Sequence, residues 1–502
     1  MESTDRERLS RRGFLATSAA LGAGIAGGGA AGYLYGRHRA DWAARASERA
    51  WSQLAKLVTV VRPWNPDFEQ LVLPNNLRYA GVLPHGVARC KSAQDISKSI
   101  LWCREHSVPL VARTGGHSYA GFSTTTGLMI DTTQMNGTGF DPATGRVTIQ
   151  GGVLNGGVYS ALRANNVAIT HGRCPSVGAA GFLLGGGIGF NMRENGLGCD
   201  QLLASTIVKA DGALAEMSAA DELFWACRGG GGGNFGVNTS FVLQTFPVRV
   251  RICVFKIKWT TQPERVASEL VKALEAAPVT LGSRISLGAV TREQRKAGKD
   301  VAVSLLGQFK GPRSQLMQIL APVYAVAEPD PQDSTIEETT YWGGQDFLSE
   351  EQPPTFYQER SAFVNGRLSD KALGIGFAHL RAWPGTGEYC DLRFFQTGGA
   401  MNAVPTTQTA FVHRKSNWLM VVGLYWNWQD NRNLLRMARN HAWQNEFYHA
   451  MLPFAGGGAY QNFADPSLRD WRTSYYGENF PRLAAIKRRV DPGGVFDFPQ
   501  AV

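Results

Sequence analysis

Two hydrophobic rhythms alternate along the chain. Apolar positions three and four apart predict helices over Trp51–Val61, Ser92–Glu105, Gly156–Asn165 and Asp221–Arg228. In Ser92–Glu105 the apolar set is Ile96, Ile100, Leu101 and Trp102, with Asp95 near the start. Short apolar or alternating runs predict strands at Ala88–Cys90, Leu110–Ala112, Leu128–Asp131, Val147–Gly151, Val167–Thr170 and Val237–Phe246. Ile207–Lys209 and Leu214–Met217 flank Asp211-Gly212, the signature of a hairpin. Trp64–Tyr79 reads as irregular, and Phe182–Asn191 as apolar and glycine-rich.

The rhythm changes near Pro247. Period-two runs at Val250–Trp259, Ile285–Val290, Val301–Phe309, Leu392–Thr397 and Leu419–Trp426 predict strands of a largely antiparallel sheet. Pro263–Ala276, Arg313–Tyr324 and Asn431–Met451 read as its helices. The tail from Tyr460 to Val502 is polar and aromatic and is expected to return to the first domain. The expected fold class is α+β, with two domains and no internal repeat.

Composition narrows this picture. At 502 residues the chain is too long for one simple core. Hydrophobic residues make up 44% and charged residues 18%, the balance of an ordinary globular protein. The 58 glycines concentrate in Gly151–Gly157, Gly178–Gly189 and Gly229–Gly236, where backbone is expected to approach a ligand closely. The net charge is +10 without a dominant Lys/Arg block, which argues against a nucleic-acid groove and leaves attraction of an acidic substrate open. Seven cysteines form no Cys-x-x-Cys pair and no metal-ligand spacing, so no metal is expected, and at least one stands outside any intramolecular disulfide.

The N-terminus reads as an address. Ser10-Arg11-Arg12-Gly13-Phe14-Leu15 precedes an apolar Ala/Gly-rich run to about Tyr35, the pattern of a twin-arginine export signal recognised by the corresponding export machinery. Ala44-Arg45-Ala46 is the candidate cleavage site, and an uncleaved membrane anchor is the alternative. Residues 1–46 are therefore set apart from the fold.

Three segments carry chemistry. Arg113-Thr114-Gly115-Gly116-His117 follows a strand, and its glycines let successive N–H groups converge on an anion such as a pyrophosphate. Gly172-Arg173-Cys174-Pro175-Ser176-Val177-Gly178 offers a cysteine in a glycine-rich loop, a competent nucleophile toward an electrophilic ring. Gly229–Gly233, followed by Asn234, Gly236 and Val237, is a loop able to wrap a nucleotide by backbone contacts.

Taken in this order, with Tyr475-Tyr476-Gly477-Glu478-Asn479 and Asp491-Pro492-Gly493-Gly494-Val495-Phe496 near the end, the segments resemble the vanillyl-alcohol-oxidase (PCMH) type FAD domain. Within that group the chain resembles the berberine-bridge-enzyme-like oxidases from about Arg62 to its end. The resemblance implies a two-subdomain FAD-binding domain over 62–247, a substrate domain over 248–458, and a C-terminal segment, 459–502, returning to the first. It implies FAD attached twice, through His117 to the 8α-methyl carbon and through Cys174 to C6. Cofactor contacts are implied from Arg113, Thr114, Gly115, Gly116 and Ser118 in the first turn, and from Val177, Gly178, Gly181, Gly186 and Gly187 after Cys174. Asn234, Gly236, Val237, Asn462, Tyr476 and Asn479 complete the set.

A small residue at Val177 implies room for dioxygen, hence an oxidase releasing peroxide from an alcohol or carbohydrate substrate. A dehydrogenase with another acceptor, or a flavin-free binding protein of the same fold, are the alternatives. Tyr460, in Ala459-Tyr460-Gln461-Asn462, is implied as the catalytic base. A free tyrosine has a pKa of about 10 and needs a depressed value or a carboxylate partner. Tyr389 or Asp391, two apart on one strand face, could be that partner, and Tyr119 is expected to line the pocket. Between about Cys253 and Tyr389 the resemblance gives no residue-level match, and substrate choice is expected there.

Overall fold

The computed structural model describes residues 46–351 and 353–502. The paired arginines and the apolar run of the expected export signal lie outside these residues.

The first lobe holds a four-stranded sheet of β1 (Thr59–Val61), β2 (Gly86–Arg89), β3 (Leu110–Arg113) and β4 (Leu128–Asp131), in the order β1-β2-β4-β3. β2 and β3 run parallel to β4. The helix expected over Trp51–Val61 occupies Glu48–Leu57 instead and stops where Val58, Thr59, Val60 and Val61 begin. Three of these four β-branched residues form β1, because such side chains fit a pleated surface better than a helix. The helix packs Trp51 against Trp102, with ring centroids 4.6 Å apart, so this lobe begins upstream of residue 62. The helix Ala93–Glu105 starts at Ser92, whose hydroxyl accepts the N–H of Asp95.

The second lobe is a five-stranded antiparallel sheet of β5 (Thr138–Asp141), β6 (Arg146–Gln150), β8 (Leu202–Val208), β9 (Leu214–Ser218) and β10 (Val237–Gln244), in the order β5-β6-β10-β8-β9. The β8–β9 hairpin turns through Gly212 at φ +77, as Asp211-Gly212 predicted. Two short strands, β7 (Val167–Ala168) and β11 (Phe246–Pro247), pair beside it.

Beyond Pro247 lies a seven-stranded antiparallel sheet. Its strands are β12 (Arg251–Trp259), β13 (Leu281–Gly288), β14 (Ala302–Phe309), β15 (Thr335–Thr340), β16 (Phe356–Val364), β17 (Cys390–Gln396) and β18 (Trp418–Trp426), ordered β15-β12-β14-β13-β17-β18-β16. One face packs Phe255, Ile285, Leu392, Phe394 and Met420 into a core with Leu270, Leu316, Leu373 and Phe447 of the covering helices. The opposite face contributes Val254, Leu306, Phe363 and Val421 to the core of the second lobe. The period of two thus sends alternate side chains into helices on one side and toward the first two lobes on the other. Of these strands, β15 and β16 carry too many polar residues to read as strands in the sequence.

The tail packs onto the second lobe. Lys487 Nζ donates to the carbonyl of Asn234 at 2.6 Å and to Asp491 at 2.8 Å, and Val502 N–H donates to Asn234 Oδ1 at 2.9 Å. It is less irregular than its composition suggested, since Phe480–Val490 is a helix.

Two histidines, His171 buried and His413 half-buried, sit at joints between lobes. His171 meets the hydroxyl of Tyr341 at 2.8 Å, and His413 meets the carbonyl of Tyr475 at 3.1 Å. Burial holds their pKa values down, at about 4 and about 3. The unfolded chain therefore takes up protons first. This contribution to stability is complete above about pH 6.5 and is lost as pH falls toward 4. Urea unfolding at pH 7.5 and pH 5 is expected to show the loss, with a shallower pH dependence in His171→Gln.

Candidate active site

The site is built where two turns cross. β3 ends at Arg113, and the chain turns through Gly115 and Gly116, the latter at φ +70. The second turn, Cys174–Gly178, lies directly on it. A Cβ on Gly115 would stand 2.4 Å from the carbonyl oxygen of Ser176 and 2.5 Å from the nitrogen of Gly178. A Cβ on Gly178 would stand 2.7 Å from Cβ of Thr114. Only glycine on both sides permits this approach. Thr114 fastens the first turn by donating its hydroxyl to the carbonyl of Gly151 at 3.0 Å.

The crossing brings His117 and Cys174 together. Ser176 Oγ lies 3.0 Å from His117 Nε2 and 3.2 Å from Cys174 Sγ. Among the seven cysteines Cys174 is half-buried and the other six are buried. Burial and the Arg113 charge hold His117 at a pKa of about 4, so its imidazole is neutral near pH 7.

A cavity of about 530 Å³ opens beside this crossing, in the usual range for small-molecule sites. Most residues expected at the cofactor face it, including Ser118, Val177, Gly181, Asn234, Gly236, Val237, Asn462 and Tyr476. Three do not. Gly186 and Gly187 lie behind Tyr460 and Phe182, where positive φ values of +123 and +85 and the lack of side chains let those rings approach. Asn479 clamps a loop instead, donating to the carbonyls of Thr406 at 2.8 Å and Thr409 at 3.2 Å. Arg113 contributes backbone to the wall, but its guanidinium donates to the carbonyls of Val72 and Leu73 and is unavailable to a phosphate.

The expected base is placed differently from the reading that named it. Tyr460 is buried in the cavity wall, and its hydroxyl oxygen accepts the N–H of Gly187 at 3.0 Å and Asn462 Nδ2 at 3.1 Å. No carboxylate touches it among the described residues. Burial pushes its pKa up, so near neutral pH it is a phenol and a hydrogen-bond donor. Tyr389 precedes β17, is 44% exposed, and stacks on Tyr425 at 4.2 Å. Tyr119 stacks on Phe463 at 4.9 Å, with its pKa also raised by burial.

The cavity's third wall is the polar face of the seven-stranded sheet. Across three strands, Asp391 of β17, Gly423 of β18 and Glu359 of β16 stand directly opposite one another. Arg393 reaches across this row. Its guanidinium bonds Glu359 and approaches Asp391 Oδ1 at 3.0 Å, an ionic contact without hydrogen-bond alignment. A Cβ on Gly423 would lie 2.6 Å from both Arg393 Nη2 and Asp391 Oδ1, so the glycine makes the room. Tyr425 donates its hydroxyl to Glu359. Burial raises the pKa of Asp391, although Arg393 and Arg284 oppose the shift. Glu359, Arg393, Tyr425, Tyr357 and Arg284 escaped the sequence reading. The charged residues on alternate positions of apolar strands were the available signal.

Comparison with known proteins follows the same division. Residues 84–218 match the family model described as FAD binding domain, and residues 459–502 match the one described as berberine and berberine like. The chain is 30% identical over 453 residues to an FAD-linked oxidoreductase of Bacillus subtilis, across 88% of this chain and 94% of that one. It is 26% identical over 459 residues to the tetrahydroberberine oxidase of Berberis wilsoniae, across 84% of this chain and 85% of that one. The solved structure of Physcomitrella patens BBE-like 1 superposes with a TM-score of 0.80 at 24% identity, covering 90% of this chain and 98% of that one.

FAD suits the donor set present. A glycine-walled cavity, a neutral imidazole and a thiol converge within contact of one hydroxyl. Gly115→Ala is expected to destabilise the fold by about 1–3 kcal/mol, because backbone cannot yield to the added methyl. Gly181→Ala, whose Cβ would meet nothing within 4 Å, is expected to cause no loss. Thermal and urea unfolding of the two variants check the contrast.

Proposed function

The chain belongs to the berberine-bridge-enzyme-like FAD-linked oxidoreductases, and on that premise we propose that it is an exported alcohol oxidase with FAD held covalently through His117 and Cys174. The observation that carries the reading is the meeting of these two side chains at Ser176 Oγ, 3.0 and 3.2 Å away. When bound, the flavin supplies the acceptor for two electrons taken from substrate. The overall change is an alcohol and dioxygen going to a carbonyl compound and hydrogen peroxide.

The chain's own residues supply the rest. His117, neutral near pH 7, offers a nitrogen lone pair for attachment. Two covalent links prevent cofactor loss outside the cell, and the twin-arginine motif suits a protein that folds around its cofactor before export. The short side chain of Val177 on the cavity wall supports access by dioxygen, and the Berberis relative is itself an oxidase.

Asp391 is the base that takes the substrate hydroxyl proton. It lines the cavity with Oδ1 turned to Arg393 Nε at 3.0 Å, which leaves its other carboxylate oxygen for the substrate, and its raised pKa makes it a stronger base than an exposed aspartate. Tyr460, with two donors on its oxygen, keeps its own proton and directs it to the substrate oxygen. The substrate lies between the sheet face and the crossed turns, a carbohydrate or another small alcohol.

Peroxide release from a panel of sugars and alcohols by the purified yellow protein tests this. Turnover with an artificial acceptor only, and none with dioxygen, would overturn the oxidase assignment. Asp391→Asn is expected to lower kcat/KM by about 10²–10⁴-fold with flavin retained. In the parent enzyme kcat/KM falls as pH drops through a pKa above the ordinary aspartate value of about 3.9. That acidic limb is absent from Asp391→Asn. Tyr460→Phe is expected to lose about tenfold, the worth of one hydrogen bond to the reacting oxygen.

A further inference from the structure

Three guanidinium groups face the cavity, and two of them are held. Arg393 bridges Glu359 and Asp391, and Arg173 pairs with Glu350 at 2.5 Å. Arg284, on β13, has no such partner. It stands opposite Phe395 in the pairing of β13 with β17, on the same sheet face as Asp391 and Arg393. Its contact there is with the Phe395 ring, 5.8 Å from the guanidinium carbon to the centroid. Its Nε is buried without a hydrogen-bond partner, and among the described residues the guanidinium makes no ion pair.

A half-buried guanidinium without acceptors is costly where its desolvation is not offset by hydrogen bonds, as at the buried Nε of Arg284. Burial lowers the Arg284 pKa only to about 10, so the group remains charged at neutral pH. The structure therefore retains a cation in a substrate cavity, with a planar fork of donors that nothing in the described chain accepts. A carboxylate is the matching shape, since two parallel N–H···O bonds fit its two oxygens. A dianionic phosphate is disfavoured by Glu350, Glu359 and Asp391 on the same wall.

We infer that Arg284 is the specificity-determining residue of the substrate pocket and that the alcohol oxidised carries a carboxylate group. The inference rests on the reading of this cavity as the substrate site and deepens it. It also gives a use to the net charge of +10, which raises the local concentration of an anionic substrate. With Asp391 ionised, the three guanidinium groups and three carboxylates balance. An added substrate anion then favours protonation of Asp391, which assists its uptake of the hydroxyl proton.

The test uses benzoate and benzamide, which share a shape and differ in charge. Each is titrated into the purified holoenzyme by calorimetry, with thermal stability as a second readout. The parent protein is expected to bind benzoate at least about tenfold more tightly than benzamide. Arg284→Gln is expected to bind the two equally while keeping its flavin content and circular dichroism. Arg284→Lys, which keeps the charge without the fork, is expected to retain part of the preference. Equal binding of the pair by the parent protein, binding of neither at tens of millimolar, or a preference that survives in Arg284→Gln would overturn the inference. Because binding and not turnover is read, a charge preference stands even if dioxygen is not the acceptor or Asp391 is not the base.

Discussion

The close crossing of two backbone turns governs the site. At Gly115 and Gly178 the chains approach so nearly that a single methyl group on either would enter the other's backbone or side chain. This contact fixes His117 and Cys174 within reach of one serine hydroxyl. The four-stranded sheet aims the first turn, since β3 delivers Arg113 directly into it. The second turn is set by Asn155, which leads a helix and both donates its N–H to the carbonyl of Val177 at 2.9 Å and holds the carbonyl of Cys174 through its side chain at 3.3 Å. The C-terminal tail then braces the third loop at Asn234 through Lys487 and Val502.

Opposite the crossed turns, the seven-stranded sheet supplies function through the parity of its strands. The same alternation that buries Leu392 and Phe394 under helices exposes Asp391, Arg393 and Phe395 to the cavity. Gly423 is the constraint on that face, as the position without a side chain over which Arg393 reaches both carboxylates. The charges are thereby held together in a low-dielectric wall, where burial raises the pKa of Asp391 against the opposing charges of Arg393 and Arg284. On the proposed reading the two walls divide the work, with backbone geometry holding the cofactor on one side and ionisable side chains meeting the substrate on the other.

Much of the first wall was legible in the sequence because glycine, histidine and cysteine in short turns declare their conformational and chemical roles locally. Ser92, the Asp211-Gly212 turn and the strand before His117 were legible for the same reason. The helix assigned through Val61 failed because a β-branched run overrode its apolar spacing. Asn479 turns away from the cavity, and the Arg113 side chain turns to backbone carbonyls while its turn lines the cavity, because motif position does not say which way a side chain points. Their partners, the carbonyls of Thr406 and Val72, are distant in sequence. The second wall was illegible for a deeper reason. Glu359 and Arg393 look like solvent-facing residues until strand order places them opposite one another across Gly423, and β16, β17 and β18 are adjacent only in the fold.

The central claim is that the crossing of the turns exists to present His117 and Cys174 to one cofactor. Mass spectrometry of peptides from the denatured, purified protein tests it most directly. The account predicts that the peptide containing His117 and the peptide containing Cys174 are joined through a single FAD-derived mass. Recovery of both peptides unmodified, with all flavin released on denaturation, would contradict it.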